Sequence, residues 1–233
     1  MNKYIILFLS SFIYSQSLFQ SDLPYYSNDH SVIKMDSLIY FIGGQTNNWN
    51  ALDSVYSYNL NTHQWTNHPN MSKARSNMGL LPIGQNIYAL KGRDGENWVE
   101  YFDTNLNTWV TIDDGAGGDL VGNGYTYYDN YWTLCDGKMY GIWSGNDTKL
   151  HSSYNGIIWN ATDYFYNVGG SEPLLVSSED KVYIIIGDNG GTPNTFWEYD
   201  PLNNSLSQKP SQTIHGRGYT NTAIYDNGKI YKF

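Results

Sequence analysis

The 233-residue sequence contains one cysteine, Cys135, and few basic residues, 13 Lys and Arg against 22 Asp and Glu. A single cysteine excludes a disulfide within the chain, so another device must hold the fold together. The formal net charge of -9 excludes nucleic acid as an expected partner, because binding to phosphates requires clustered Lys and Arg. Beyond the N-terminal segment, the chain also lacks an apolar run long enough to span a bilayer.

Groups arranged for catalysis or metal binding are scarce as well. The five histidines are scattered, with no His-x-His or HExxH pair, and we interpret them as solvated side chains. The Asp- and Gly-rich stretches at 113–119 and 188–191 lack the alternation of an EF-hand loop and read as connections between repeats. We therefore expect no metal and no cofactor.

The N-terminus has the pattern of an export signal. Lys3 precedes an apolar run that begins at Tyr4, and polar residues follow at 15–17. About ten apolar residues suit a cleavable signal, whereas a membrane span needs about 20. We predict a signal peptide at 1–17 and a secreted or otherwise extracytoplasmic mature chain, with no membrane insertion after cleavage. In a eukaryotic source it could be a glycoprotein, with sequons at Asn70, Asn146, Asn160 and Asn203.

An internal repeat dominates the remainder. An apolar residue followed by Tyr recurs at intervals of 43 to 52 residues, which is typical of a four-stranded propeller blade. Each pair follows a turn signal, most clearly Asp136-Gly137 and Asn227-Gly228, which favour type I′ turns. Each Tyr should thus belong to the second strand of a hairpin. The five pairs are Ile39-Tyr40, Ile87-Tyr88, Met139-Tyr140, Val182-Tyr183 and Ile230-Tyr231.

The strands that contain these pairs are predicted at 38–42, 87–90 and 182–186. They are nearly continuous apolar runs, which indicate burial on both faces. Four residues after the Tyr, three repeats have a glycine, which permits a bend that no side chain could share, and the third has Ser144. The glycines are Gly44, Gly92 and Gly187.

A second landmark follows in each repeat. An aromatic residue precedes a Trp by seven residues in the first two repeats, with an Asn- and Thr-rich linker between them. This spacing predicts a third strand that turns into a fourth, so each repeat accounts for four strands. The landmarks are Tyr58 with Trp65, Phe102 with Trp109, Tyr154 with Trp159, and Tyr199 with Leu206.

The segments IYFIGG and VYSYNLNTHQW, followed by the basic stretch Lys73-Ala74-Arg75, resemble the Kelch-repeat family. The resemblance is close in the first repeat, where Gly43-Gly44 preserves the full glycine doublet. It is weak in the third, where Trp143-Ser144 replaces the doublet and Trp159 comes two residues early. It implies an all-β Kelch-type β-propeller.

The repeats predict four full four-stranded blades and a partial fifth within a domain at 18–233. A ring of this size is incomplete or unusually small, and we favour a piece of a longer propeller. The predicted blades are approximately 30–70, 75–113, 125–165 and 173–210, with the partial blade at 217–233.

In a propeller, ligands bind at the channel mouth and along the loops that join strands. We therefore expect a non-catalytic binding or interaction module for a protein or carbohydrate, because exposed aromatic rings anchor both classes of ligand. For aromatic side chains the alternative is packing between blades, and for Arg75 it is a structural contact between blades. The candidates are Trp49, Trp98, Trp132, Trp197, Arg75, Arg93 and Arg217.

Two enzymatic alternatives follow from the resemblance. One is a copper enzyme similar to galactose oxidase, which uses a Cys cross-linked to a Tyr. The other is an N-acetylneuraminate epimerase of Kelch type. For Cys135, just before the Asp136-Gly137 turn, the favoured interpretation is a buried hydrophobic residue on an inner strand.

Overall fold

The computed structural model describes residue 24 and residues 27–95, 98–114, 132–142, 149–156, 158–162, 173–186, 195–210 and 223–232. These ranges hold eighteen β-strands and no helix, and hence no helix that could cross a membrane. The strands form four antiparallel four-stranded sheets and one two-stranded hairpin. This confirms the predicted all-β propeller with four full blades and a partial fifth. Several predicted features lie outside the described residues: the signal peptide, Ser144, Asn146, Gly187, Arg217, the 188–191 stretch and residues 115–119 of the other Asp- and Gly-rich stretch.

Each sheet uses consecutive strands, and we call the sheets blades 1 to 4 and the hairpin blade 5. Blade 1 contains β1 Ser31–Met35, β2 Leu38–Ile42, β3 Val55–Asn59 and β4 Gln64–His68. Blade 2 contains β5 Gly79–Ile83, β6 Asn86–Leu90, β7 Trp98–Asp103 and β8 Thr108–Asp114. Blade 3 contains β9 Trp132–Cys135, β10 Lys138–Ile142, β11 Leu150–Ser153 and β12 Asn160–Ala161. Blade 4 contains β13 Pro173–Ser177, β14 Val182–Ile186, β15 Thr195–Asp200 and β16 Ser205–Lys209, and blade 5 contains β17 Ala223–Asp226 and β18 Lys229–Lys232.

The first strands of successive blades lie side by side. β1 contacts β5, β5 contacts β9, β9 contacts β13, and β13 contacts β17. This is the arrangement of inner strands around a propeller axis, with the later strands of each blade further out.

The hairpin turns have the predicted conformation. Asp136 and Gly137 have φ values of 48° and 68°, and Asn227 and Gly228 have values of 49° and 78°. Positive φ at both central residues defines a type I′ turn. The predicted bends are confirmed as well, because Gly44 and Gly92 have φ values of 103° and 97°.

The aromatic landmarks pair across neighbouring strands. Tyr58 lies opposite Trp65 and Phe102 opposite Trp109, with ring centroids 5.0 and 5.3 Å apart. Tyr199 lies opposite Leu206 in blade 4. The repeated spacing thus encodes a cross-strand pair at the outer hairpin of these blades.

Blade 3 departs from this register. The residue opposite Met139 is Ser153, whereas the equivalent residues in the other blades are the aromatic landmarks. Tyr154 comes one residue too late, and its side chain is 74% exposed. Trp159 precedes the two-residue strand β12 and packs against Trp132 at 5.2 Å. The early Trp therefore reflects a shortened outer hairpin.

The hydrophobic core lies between blades rather than within them. Three clusters of buried side chains fill the spaces between consecutive blades. This explains the continuous apolar runs of the second strands, since each inner strand faces a neighbouring blade on either side. Representative members are Tyr40, Met78 and Phe102 between blades 1 and 2, Leu90 and Met139 between blades 2 and 3, and Tyr140, Ile184 and Tyr199 between blades 3 and 4.

Candidate ligand-binding face

The two faces of the propeller differ in their connections. Because the strands are antiparallel, the turns that follow the first and third strands lie on one face, and the longer connections lie on the other. We call the latter the connector face in blades 1 and 2, where it comprises residues 27–30, 43–54, 69–78 and 91–95. Backbone hydrogen bonds join these segments, between Asn28 and Gln45, from Asn77 N to Asp29 O, and between Ser76 and Arg93.

Trp49 projects from the connector face. Its side chain is 66% exposed and its φ is 63°, in the left-handed region that bulky residues rarely occupy. Hydrogen bonds from Trp49 N to Thr46 O and from Thr46 N to Asn50 O, both 2.9 Å, hold the loop in this shape. Strained backbone of this kind is concentrated at functional sites.

Arg93 stacks on Trp49 from the neighbouring blade. Its guanidinium carbon lies 5.6 Å from the ring centroid, within cation–π range. Among the described residues, none of the ion pairs involves Arg93. Two of the predicted ligand residues, 44 positions apart in the sequence, therefore form one exposed aromatic and cationic unit.

The same segments bury polar atoms that lack partners within the described part of the chain. Gln45 is 1% exposed, and its amide nitrogen donates to the Asp29 carboxylate, but its Oε1 accepts no hydrogen bond. Ser76 Oγ and His30 Nδ1 are also buried without a partner. Burial lowers the pKa of His30, so its ring is neutral at pH 7. Because unpaired buried polar atoms are costly, these atoms suit a place that an ordered water completes beneath the surface.

Arg75 lies beneath this face and is fully buried. Its guanidinium pairs with Glu100 at 2.6 Å and donates to Lys91 O and Trp98 O at 3.1 and 2.8 Å. Burial lowers the pKa of Arg75 to about 10, against the opposing effect of Glu100, so it stays charged at neutral pH. Arg75 belongs to the connection between blades 1 and 2, and these contacts match the structural alternative considered for it.

Sequence reasoning missed Glu100. It is fully buried in strand β7. The available signal was one acidic residue within the otherwise apolar run WVEY. A buried carboxylate requires a cationic partner, and Arg75 supplies it.

The other candidates occupy different environments. Trp98 is half-buried at the end of the loop that carries Arg93, and Trp132 is buried between blades 2 and 3. Trp197 is half-buried against the cluster between blades 3 and 4. Only Trp49 and Arg93, among the described candidates, are brought into contact at an exposed surface.

One constellation resembles a catalytic triad in its hydrogen bonds. His68 Nε2 lies 2.8 Å from Ser57 Oγ, and His68 Nδ1 lies 2.8 Å from Asn107 Oδ1. Ser57, however, is 1% exposed, and the His68 ring packs against Tyr40 and Phe102. A substrate cannot reach this serine, so we assign the group to packing between blades 1 and 2. His68 is therefore not the solvated side chain predicted from the sequence.

Cys135 ends the inner strand β9 and is 1% exposed. Burial raises the pKa of its thiol to about 11, so the thiol is protonated at neutral pH. Cys135 belongs to the cluster between blades 3 and 4. The interpretation of Cys135 as a buried hydrophobic residue on an inner strand is confirmed.

Comparison with known proteins agrees with the repeat. The family model described as Kelch motif matches residues 27–72, which contain blade 1. Blade 1 therefore carries a Kelch motif. An F-box/kelch-repeat protein of Arabidopsis thaliana is 37% identical over 85 residues, covering 35% of this chain and 20% of that protein.

Other Kelch relatives align over similar lengths. Kelch domain-containing protein 3 of Bos taurus is 26% identical over 99 residues, 39% of this chain and 26% of that protein. Kelch repeat and BTB domain-containing protein 2 of horsepox virus is 29% identical over 129 residues, which cover 46% of this chain and 23% of that protein. The aligned part of this chain thus spans about a fifth to a quarter of each relative's length. Kelch repeats generally act as protein-interaction modules.

Proposed function

We propose that this Kelch propeller is a non-catalytic interaction module that binds a protein partner through the connector face at Trp49 and Arg93. The observation that carries the proposal is the exposed, conformationally strained Trp49 ring, stacked with a cation from the next blade. Trp and Arg are enriched among the residues that dominate binding energy at protein interfaces.

The polar atoms of the connector face suit a peptide. A peptide backbone presents both N–H donors and C=O acceptors. The side-chain amides of Asn47, Asn48 and Asn50, which flank Trp49 on the same loop and are exposed, can each donate and accept hydrogen bonds. An extended segment anchored on Trp49 would therefore find partners for its backbone beside the ring.

Carbohydrate is the second ligand class, because the Trp49 ring can also stack on a sugar. We further propose that the chain is exported through its N-terminal segment, which would place the connector face outside the cell. Three sequons have an exposed asparagine available for a glycan: Asn70, Asn160 and Asn203. The buried Cys135 thiol gives no support to the copper-oxidase alternative.

A selection from a phage-displayed library of random peptides tests the proposal on the purified chain. Trp49→Ala should weaken binding of the selected peptides by about thirty-fold or more, the size of effect typical of an interface hot spot. Arg93→Ala should weaken the same peptides.

Tyr154→Ala is the matched control. Tyr154 is exposed and also carries a cation over its ring, with Lys138 Nζ at 4.9 Å, but it lies on the opposite face. Its removal should leave peptide binding unchanged. A glycan array run in parallel separates the ligand classes, since Trp49-dependent glycan binding without peptide binding would favour carbohydrate. Selected peptides that are insensitive to Trp49→Ala would contradict the site.

A further inference from the structure

We infer that Arg75 is a positioning residue for the connector face, which sets the relative placement of Trp49 and Arg93 without touching the ligand. The inference rests on the proposed function and adds a determinant of affinity beneath the binding surface. Its basis is that Arg75 makes hydrogen bonds to both ends of both loops that carry the ligand residues.

The loop of blade 1 that carries Trp49, residues 43–54, is held by the main chain of Arg75. Gly44 N donates to Arg75 O, and Arg75 N donates to Leu52 O, each at 3.0 Å. A third bond, from Leu52 N to Gly44 O at 2.8 Å, closes the base of the loop. The Arg75 peptide units therefore contact the two positions at which this loop leaves and rejoins the blade.

The loop of blade 2 that carries Arg93 is held by the side chain of Arg75. Nη1 donates to Lys91 O and Trp98 O, the two ends of that loop, at 3.1 and 2.8 Å. Gly95 packs so closely on the guanidinium stem that a Cβ there would lie 2.7 Å from Arg75 Cδ. One residue thus joins two loops from different blades.

Glu100 fixes the orientation of the Arg75 side chain, which together with its hydrogen bonds to the two loops we call the clamp. Its Oε1 accepts from Arg75 Nη2 at 2.6 Å, and its Oε2 accepts from Ser72 N at 3.0 Å, with both charged side chains fully buried. Only the planar fork of an arginine can supply several donors in fixed directions, whereas a lysine supplies a compact ammonium group. Because the loops are ordered before the ligand arrives, less free energy is spent on ordering them at binding.

The geometry predicts an asymmetric response to changes at Arg75. In Arg75→Met the side-chain bonds to residues 91 and 98 are lost, while the main-chain bonds to residues 44 and 52 can persist. Amide hydrogen exchange should therefore accelerate in residues 91–95 more than in residues 43–54. Affinity for a peptide selected on the wild-type chain should fall by about tenfold, a size typical of residues that act on a site from outside it.

The experiment compares wild type, Arg75→Met, Glu100→Gln and Ile87→Ala by hydrogen-exchange mass spectrometry and peptide titration. Ile87 is buried between blades 1 and 2 near the opposite face, so Ile87→Ala lowers stability without removing the clamp. At a temperature where Ile87→Ala and Arg75→Met are equally folded, only Arg75→Met should lose affinity. Glu100→Gln keeps an acceptor for Arg75 and serves if Arg75→Met does not fold, with a smaller change in the same direction expected.

The outcomes separate the two proposals. If no peptide binds wild type, the proposed function fails, and the positioning role fails with it. If wild type binds and the folded clamp variant binds equally well, the positioning role alone is overturned. Equal loss of affinity in Ile87→Ala at matched stability would also overturn it, because general stability would then explain the effect.

Discussion

The junction between blades 1 and 2 and the junction between blades 3 and 4 occupy equivalent places in the propeller but are built differently. The first contains the buried ion pair of Arg75 with Glu100, together with His68, whose ring nitrogens both lie within hydrogen-bond distance of polar partners. The second is mainly apolar, and in the described part of the chain the side-chain hydrogen bonds across it lie near the inner strands, such as the bond from Thr133 Oγ1 to Ser177 Oγ at 2.9 Å.

The two junctions differ in how strictly their contacts fix the relative placement of the blades. Apolar contacts stabilise two blades roughly in proportion to the area that they bury, with little preference for one placement. Hydrogen bonds to a buried charge require one geometry, and their loss is expensive. The directional junction is the one beneath Trp49 and Arg93, where a ligand would require two loops at a fixed separation.

The largest expected effect is at the polar junction. Arg75→Met leaves the Glu100 carboxylate buried without its cation and should lower the free energy of unfolding by about 3–5 kcal/mol. Urea unfolding followed by circular dichroism measures the change. The double variant Arg75→Met/Glu100→Leu should recover much of the loss, because it removes the unpaired charge. A single variant as stable as wild type would show that the pair is not desolvated as the structure describes.

A truncation at the apolar junction should cost somewhat less. Ile184 is fully buried between blades 3 and 4, and Ile184→Ala should destabilise the chain by about 2–4 kcal/mol through lost burial and a residual cavity. The thiol of Cys135 reports locally on this junction, since it is buried in the same cluster. Thiol labelling under native conditions should accelerate in Ile184→Ala.

The Arg75→Met chain is the control for that labelling. If the two junctions open separately, Cys135 labelling in Arg75→Met should stay close to the wild-type rate under strongly native conditions. Equal acceleration in both variants would instead show that the blades open as one unit, and the comparison between junctions would lose its energetic meaning.

The sequence predicts local structure far better than contacts between blades. The bounds predicted at 38–42 and 182–186 match strands β2 and β14, and the type I′ turns follow from Asp-Gly and Asn-Gly. These features depend on neighbouring residues, whose preferences a sequence displays directly. The sequence does not locate the register shift in blade 3. Tyr154 has the residue type of the aromatic landmark, but Ser153, one residue earlier, lies opposite Met139 where the landmark is expected.

The candidate site was predictable only as a list of residue types. The sequence predicts both Trp49 and Arg93 as ligand residues, but their contact depends on how two blades pack, which no local pattern specifies. Arg75 lies in the connection between blades 1 and 2, and its partner Glu100 lies 25 positions later on strand β7. An arginine with a rigid fork can serve a ligand or the fold equally well, and burial separates the two roles.

The smallest expected effect is a pH dependence of stability that arises at the junction between blades 3 and 4. Burial raises the pKa of the Cys135 thiol from 9.0 to about 11, so between these values the folded chain keeps a proton that the unfolded chain has released. Stability attributable to this thiol is thus fully present below pH 9 and is lost as the pH rises toward 11. Wild type should lose stability relative to Cys135→Ala across this window, as measured by urea unfolding at pH 8, 9.5 and 10.5.

Because wild type and Cys135→Ala contain the same tyrosines, the difference between their pH profiles reports on the Cys135 thiol. It also tests the apolar character of the second junction, because no arginine belongs to that cluster among the described residues, whereas Glu100 in the first junction is paired with Arg75. Parallel pH profiles for the two chains would mean that water reaches Cys135 in the folded protein. In that case the junction between blades 3 and 4 would tolerate charge much as the junction between blades 1 and 2 does.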